Sequence, residues 1–236
     1  MKNLILASAF MFYGVVAHAQ GETLTAHQLP IMEQTTRKHF ILELGYIGAT
    51  TSDDTSGSNI QHGFSGGFLF DFLGAGYLNL ETGIFVSQQG FSYGTTGVTK
   101  VSGTDISALQ NQTVVGKLTY VAIPILAKIN LAGRPLNTPF IIAGVSPQYL
   151  LSNDISIEGT DSTGKTLSYS ADMHDYDPPM YDVTGVIGFG GSFRYSDATS
   201  LLLQATYNRG FIPIGNTDSK FYNQSILFTL GFGVDL

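Results

Sequence analysis

Ser225–Leu236, SILFTLGFGVDL, is the stretch that most constrains what this chain can fold into. Side chains alternate across a strand with period two. Ile226, Phe228, Leu230, Phe232, Val234 and Leu236 therefore share one face, and all are large and apolar. Ser225, Leu227, Thr229, Gly231, Gly233 and Asp235 share the other, which is mostly small or polar. A strand of about this length crosses a bilayer core at a tilt of roughly 45°. Left uncovered, its edge would invite aggregation; in a closed barrel the last strand pairs with the first and no edge remains. The stretch predicts the closing strand of a transmembrane β-barrel or of a soluble barrel or sandwich, and its period alone does not separate them.

The pattern upstream separates them. Alternation predicts strands over 40–50, 62–72, 77–93, 114–129, 139–151, 181–195 and 200–212. Phe64, Phe68, Phe70 and Phe72 fall on one face of the second, a load that lipid or a core must take. With the closing strand this makes an all-β, eight-stranded antiparallel up-and-down transmembrane β-barrel. Connections after the even strands are short turns; those after the odd strands are longer and polar, the asymmetry of outer-membrane barrels. Pro124 sits inside the fourth strand, where proline normally marks an edge or a bulge. The longest connection, Ser152–Met180, is acidic, with Asp154, Glu158, Asp161, Asp172, Asp175 and Asp177.

Composition narrows the function. Charged residues are 12% of 236, with 28 Gly and 12% aromatics, which suits a barrel with small residues inside and aromatics against lipid. A net charge of −7 argues against nucleic acid as a partner. With no Cys there is no disulfide, no Cys-ligated zinc and no Cys-anchored lipid. Lys2, the apolar run Leu4–Val16 and Ala17-His18-Ala19 form a signal-peptide pattern, predicting a signal peptide over 1–19, a periplasmic lead-in over 20–39 and the barrel over 40–236.

Four fragments carry a family resemblance: LETGIFVSQQG at Leu80–Gly90, YVAIPILAK at Tyr120–Lys128, GVIGFGGSFRY at Gly185–Tyr195 and LLLQATYNRGFIPI at Leu201–Ile214. In order and spacing the sequence resembles the PorT-like outer-membrane β-barrel family of Bacteroidota-type bacteria, with its Y-x-x-x-P-x-x-x-K strand. The resemblance spans nearly all of 40–236 and accounts for Pro124. It implies an integral outer-membrane protein and supplies no activity. Members often end on an aromatic residue, whereas this sequence ends on Leu236. Phe228, Leu230, Phe232, Val234 and Leu236 still resemble the terminal signal read by the barrel-assembly machinery.

Candidate chemistry is sparse. Parity places Glu43, Asp71, Glu81, Lys128, Arg194 and Asp235 on inward faces. Charges inside so narrow a barrel should pair. Glu43 and Glu81 are expected to meet Lys128 and Arg194 in a network that plugs the lumen. An enzyme reading needs a base; His27, His39, His62 and His174 are the candidates, with Asp172 and Asp175 flanking the last. The acidic connection lacks the D-x-D-x-D-G spacing of a calcium loop, and no phosphate-binding glycine motif is present. No cofactor is expected. Tyr46, Tyr77, Tyr93, Tyr149, Tyr181, Tyr195, Tyr207 and Tyr222 lie near strand ends, where an interfacial girdle belongs.

The reading is a non-enzymatic structural or interaction protein, working through Gly94–Thr113 and Ser152–Met180, with outer-membrane lipid around it and a protein or surface glycan as partner. An accessory role in secretion or surface assembly rests on fold analogy. The alternatives are a lipid-modifying barrel enzyme and a soluble, lipocalin-like ligand-binding barrel. Fractionation and an unheated gel separate the last: a barrel in the outer membrane migrates as a compact species until heated, whereas a soluble protein runs at one position.

Overall fold

In the computed structural model the described residues are 39–51, 59–75, 77–95, 98, 100–101, 104–131, 137–170, 179–196, 198–213 and 222–236. The expected signal peptide and most of the lead-in lie outside them, as do His27, Asp172, His174, Asp175 and Asp177. The strands are β1 (His39–Thr51), β2 (Gln61–Ala75), β3 (Leu78–Gly94), β4 (Lys100–Val101), β5 (Thr104–Asp105), β6 (Gln110–Ala122), β7 (Ile125–Asn130), β8 (Asn137–Thr160), β9 (Thr166–Ser170), β10 (Tyr181–Arg194), β11 (Thr199–Gly210) and β12 (Asn223–Asp235).

The wall closes. β1 pairs antiparallel with β2 and, along its whole length, with β12, from His39 opposite Asp235 to Thr51 opposite Asn223. On the far side β8 pairs with β10. The ring β1–β2–β3–β6/β7–β8–β10–β11–β12 is an eight-stranded antiparallel barrel. β6 and β7 act as one wall strand. Ala122 lies opposite Gln148 and Ile125 opposite Val145, so the register does not slip across Pro124. Proline has no N–H to give; the neighbouring Ile123 amide donates to the Pro147 carbonyl at 2.9 Å, and the Thr82 hydroxyl donates to the Pro124 carbonyl at 2.8 Å. Pro124 therefore marks neither an edge nor a bulge, and Ala122, Pro124, Leu126 and Lys128 all point inward and are buried.

The outward face is apolar around the ring. Leu201, Phe232, Leu42, Phe68 and Ile84 are successive cross-strand partners on it. Leu42, Phe232 and Ile84 are about half exposed, at 53%, 51% and 46%. So large a contiguous apolar belt is suited to lipid and excludes a water-facing wall. A soluble lipocalin-like barrel would carry the opposite pattern.

Inside, space is short. A Cβ at Gly83 would lie 1.8 Å from the Phe68 carbonyl oxygen across the β2–β3 pair. Lumen glycine thus lets neighbouring backbones approach as the narrow wall curves. An inner apolar cluster, Ile41, Leu69, Phe85, Ala122, Leu126, Phe140, Ile142 and Leu202, fills the lumen on the side of the short turns.

Two expected loops are partly strand. The alternation of β8 slips at a bulge, where Tyr120 pairs with Leu150 and Thr119 with Ser152. Before it Ser146 and Gln148 are buried; after it Ile155 and Ile157 are. The parity exchange at Leu151 makes a period-two reading stop there, yet β8 continues to Thr160 and returns as β9. Likewise Gln110–Thr113 belongs to β6. β3, β6, β8 and β9 together form a ledge beyond the lipid belt.

Gly83→Ala forces the Phe68 carbonyl to move, with an expected cost of about 1–3 kcal/mol. Thr82→Ala removes one hydroxyl bond and should cost roughly 1 kcal/mol. The temperature at which the compact gel band disappears compares the two.

Candidate functional site: the lumen and the ledge

Strands of a barrel carry every second side chain into the lumen, and in this chain those positions hold acid. Glu43, Asp71, Glu81 and Lys128 are 2%, 7%, 1% and 4% exposed. Asp71 and Glu81 are direct partners across β2 and β3. Lys128 Nζ donates to Glu81 Oε1 and lies 5.4 Å from the centre of the Phe140 ring. Asn79 Nδ2 donates to Asp71 Oδ2 at 3.0 Å, and Gln204 Nε2 donates to Glu43 Oε2 at 3.1 Å. The structure thus brings Glu81 and Lys128 together and sets Glu43 against an amide.

Arg194 is elsewhere. Its Nη2 lies 3.0 Å from Asp235 Oδ2 at the turn-side mouth, where both side chains are partly exposed. Arg194 ends β10, so its inward parity comes with a position at the rim. Parity specifies a face but not a height, and the sequence grouping of Arg194 with Glu43 and Glu81 does not survive the geometry.

At the same mouth His39 Nε2 is 3.0 Å from Ser200 Oγ and 3.8 Å from Asp235 Oδ1. Gly233 makes the approach possible: a Cβ there would fall 2.3 Å from His39 Nε2 and 2.6 Å from Ser200 Oγ. A hydrolytic triad places serine on one ring nitrogen and the carboxylate on the other. Here both approach Nε2, the arrangement of a closing contact between the first and last strands. His62 Nδ1 meets the Tyr46 hydroxyl on the outer wall.

Toward the loop side the lumen is polar and then apolar. Gln148 Nε2 donates to Thr184 Oγ1 at 2.7 Å and to Asp182 Oδ2 at 3.2 Å. Asn223 Nδ2 donates to the Tyr120 hydroxyl at 3.3 Å. Beyond them Phe91, Ile106, Val114, Leu118, Tyr120, Ile155 and Ile157 form a second buried cluster under the ledge. Gln112 ties the preceding segment to it: its Nε2 donates to the Val98 carbonyl at 2.8 Å and its Oε1 accepts the Val98 amide at 3.1 Å. At the tip of the hairpin Asp161 Oδ1 accepts from the Thr163 hydroxyl at 2.6 Å and the Lys165 amide at 3.0 Å, and Gly164 adopts φ +82°. The Thr163 and Lys165 donors hold the Asp161 carboxyl below its ordinary pKa.

Gln204 and Asn79 were open to parity; Gln112 was hidden because its segment scans as loop. Of the tyrosines, Tyr77 and Tyr195 are exposed at the turn side, and Tyr46, Tyr149, Tyr181 and Tyr207 are exposed on the wall. Tyr93 instead packs on the ledge cluster, and Arg209 lies over the Tyr222 ring at 6.0 Å. Phe228, Leu230 and Phe232 face lipid, and Leu236 is 80% exposed.

A closed antiparallel barrel with an apolar outer belt, a filled lumen and one extended side defines an integral outer-membrane β-barrel protein. The chain belongs to the outer membrane protein beta-barrel domain family, which matches residues 28–216. Among solved structures it is similar to Neisserial surface protein A (NspA), with 16% identity, TM-score 0.44 and coverage of 84% of this chain and 97% of that one. OprG from Pseudomonas aeruginosa shows 11% identity, TM-score 0.44 and coverage of 85% and 96%. A major outer membrane protein from Thermus thermophilus shows 15% identity, TM-score 0.44 and coverage of 84% and 99%. No curated protein sequence matches.

Lys128→Met leaves the Glu81 carboxylate buried without its counter-charge and should destabilise the barrel by roughly 3–5 kcal/mol. Adding Glu81→Gln should recover part of that loss. Arg194→Glu, at the wetter rim, should cost roughly 1 kcal/mol. Loss of the compact band on heating ranks all three.

Proposed function

We propose that this protein is a non-enzymatic surface component of the outer membrane whose working part is the ledge. The observation that carries this reading is the second core. A barrel needs no packed apolar cluster beyond the lipid belt, yet Ile106, Val114, Leu118, Ile155 and Ile157 are each at most 6% exposed there. Such packing presents an ordered, polar outer face, with Lys117, Ser152 and Asp154 exposed on it. Ordered faces on rigid scaffolds bind with less entropy to lose than mobile loops do. A protein or surface glycan is the partner this face fits, in secretion or surface assembly.

Export by a cleaved signal over 1–19 and assembly through the lipid-facing residues Phe228 to Leu236 belong to the same reading. So does membership of the PorT-like branch. Tyr120, Pro124 and Lys128, the fixed residues of its Y-x-x-x-P-x-x-x-K strand, are spaced by even numbers and all face the lumen. Tyr120 bonds Asn223 and Lys128 bonds Glu81, so the motif reads as an interior brace.

The test is a set of outward charge reversals, Lys117→Glu with Asp154→Lys and Glu158→Lys. The variant should keep its heat-modifiable band and lose proteins crosslinked at the cell surface. Unchanged crosslinking, or release of fatty acid from lipid by the purified protein, would overturn the reading.

A further inference from the structure

Six lysines and arginines fall among the described residues, and five of them have an acid opposite or bonded. Lys117 lies across from Asp154, and Lys100 across from Asp105. Lys165 faces Asp161 over the hairpin turn. Lys128 bonds Glu81, and Arg194 bonds Asp235. Arg209 is the exception. Its cross-strand partners are Gly185 on β10 and Gln224 on β12. It makes no ion pair among the described residues. Asp182, the acid of β10, is buried on the inward parity and is served by the Ile212 amide and Gln148.

Arg209 is exposed on the outward face, in line with the exposed Leu201, Leu203 and Tyr207. It is the last outward residue of β11 on the loop side. Its guanidinium carbon lies 6.0 Å from the centre of the Tyr222 ring, and Phe211, exposed, follows at the end of the strand. The place therefore continues the lipid belt and stands at its loop-side limit, where aromatic side chains meet lipid headgroups. A guanidinium seated on an aromatic face keeps an N–H edge for a partner, and that edge matches two oxygens of a phosphate. Gln224, outward on the next strand, sets a neutral amide beside it. We propose that Arg209, seated on Tyr222, binds a phosphate of an anionic lipid in the outer leaflet, with Gln224 as a second donor. The site lies on β11 and β12, away from the ledge strands β3, β6, β8 and β9, so it fixes the barrel to its lipid and leaves the ledge free.

The experiment mixes the full-length mature protein, in neutral detergent, with lipid A bearing its phosphates or with the same lipid A after dephosphorylation. Native mass spectrometry counts the lipid retained. The wild type should keep the phosphorylated form about fivefold better, the preference expected of one exposed charge pair. Arg209→Gln should bring the two lipids level, and Arg209→Lys should restore part of the preference, since a lysine keeps the charge and loses the fork. Arg209 takes no part in closing the barrel or bracing its lumen, so both variants should keep the compact gel band; the wild-type comparison of the two lipids stands whether or not they do. Lys117→Gln removes another exposed cation and should leave the preference unchanged. Equal retention of the two lipids by the wild type overturns the proposal. So does an equal loss in Lys117→Gln and Arg209→Gln, which would assign the preference to diffuse charge. Displacement of the lipid by millimolar inorganic phosphate also overturns it, because the site would then take a free anion.

Discussion

A chain in hydrocarbon must satisfy every backbone N–H and C=O from within, because no water is there to do it. Sheets meet that condition by closing, and here closure joins the first strand to the last, far apart in sequence. β1 runs against β12 from end to end, and β8 runs against β10. The first of these is reinforced at the mouth by His39, Ser200 and Asp235, with Arg194 on the outer oxygen of Asp235. Pro124 shows how strict the condition is. A residue with no amide hydrogen is accommodated without moving the register, because its neighbours and the Thr82 hydroxyl take up the bonds around it.

Closure with eight strands fixes a small circumference, and the interior follows from that. Side chains must fill it, glycine must stand where backbones crowd, and any charge inside must be answered at short range. Lys128 answers Glu81, Asn79 answers one oxygen of Asp71, and Gln204 answers one of Glu43. Apolar clusters flank the polar middle on both sides. On one side the wall itself runs on past the lipid belt, as β8 continues to Thr160 and returns as β9.

Period two made the barrel legible. Each wall strand announces its lipid face by large apolar residues, and even the interior acids were visible as polar residues on the opposite parity. What period two does not contain is height. Glu81 and Lys128 share a face and a level, while Arg194 shares the face and sits at the rim. Nor does it survive a bulge. At Leu151 the alternation inverts, so Ile155 and Ile157 scan as outward when they are the floor of the ledge. Gln112 was hidden by similar irregularity, since the register of β6 shifts between Gln110 and Thr113 and Asn111 takes φ 51°. Those are the places where the molecule changes from a membrane wall to a surface structure, and a pattern tuned to one solvent fails at the boundary between two.

The bulge between Leu150 and Ser152 also sets an arithmetic for how the surface of such a protein can diversify. Beyond it, strands β8 and β9 must keep one face on the apolar floor and the other in water. Residues gained or lost in pairs preserve that assignment, whereas a single residue turns every following side chain over. A bulge is the device that absorbs one odd residue. With the odd residue already absorbed at Leu151, the hairpin above it is free to lengthen or shorten by even steps while the wall below stays in register. The hairpin can thus change its length without disturbing the wall that holds the protein in its membrane.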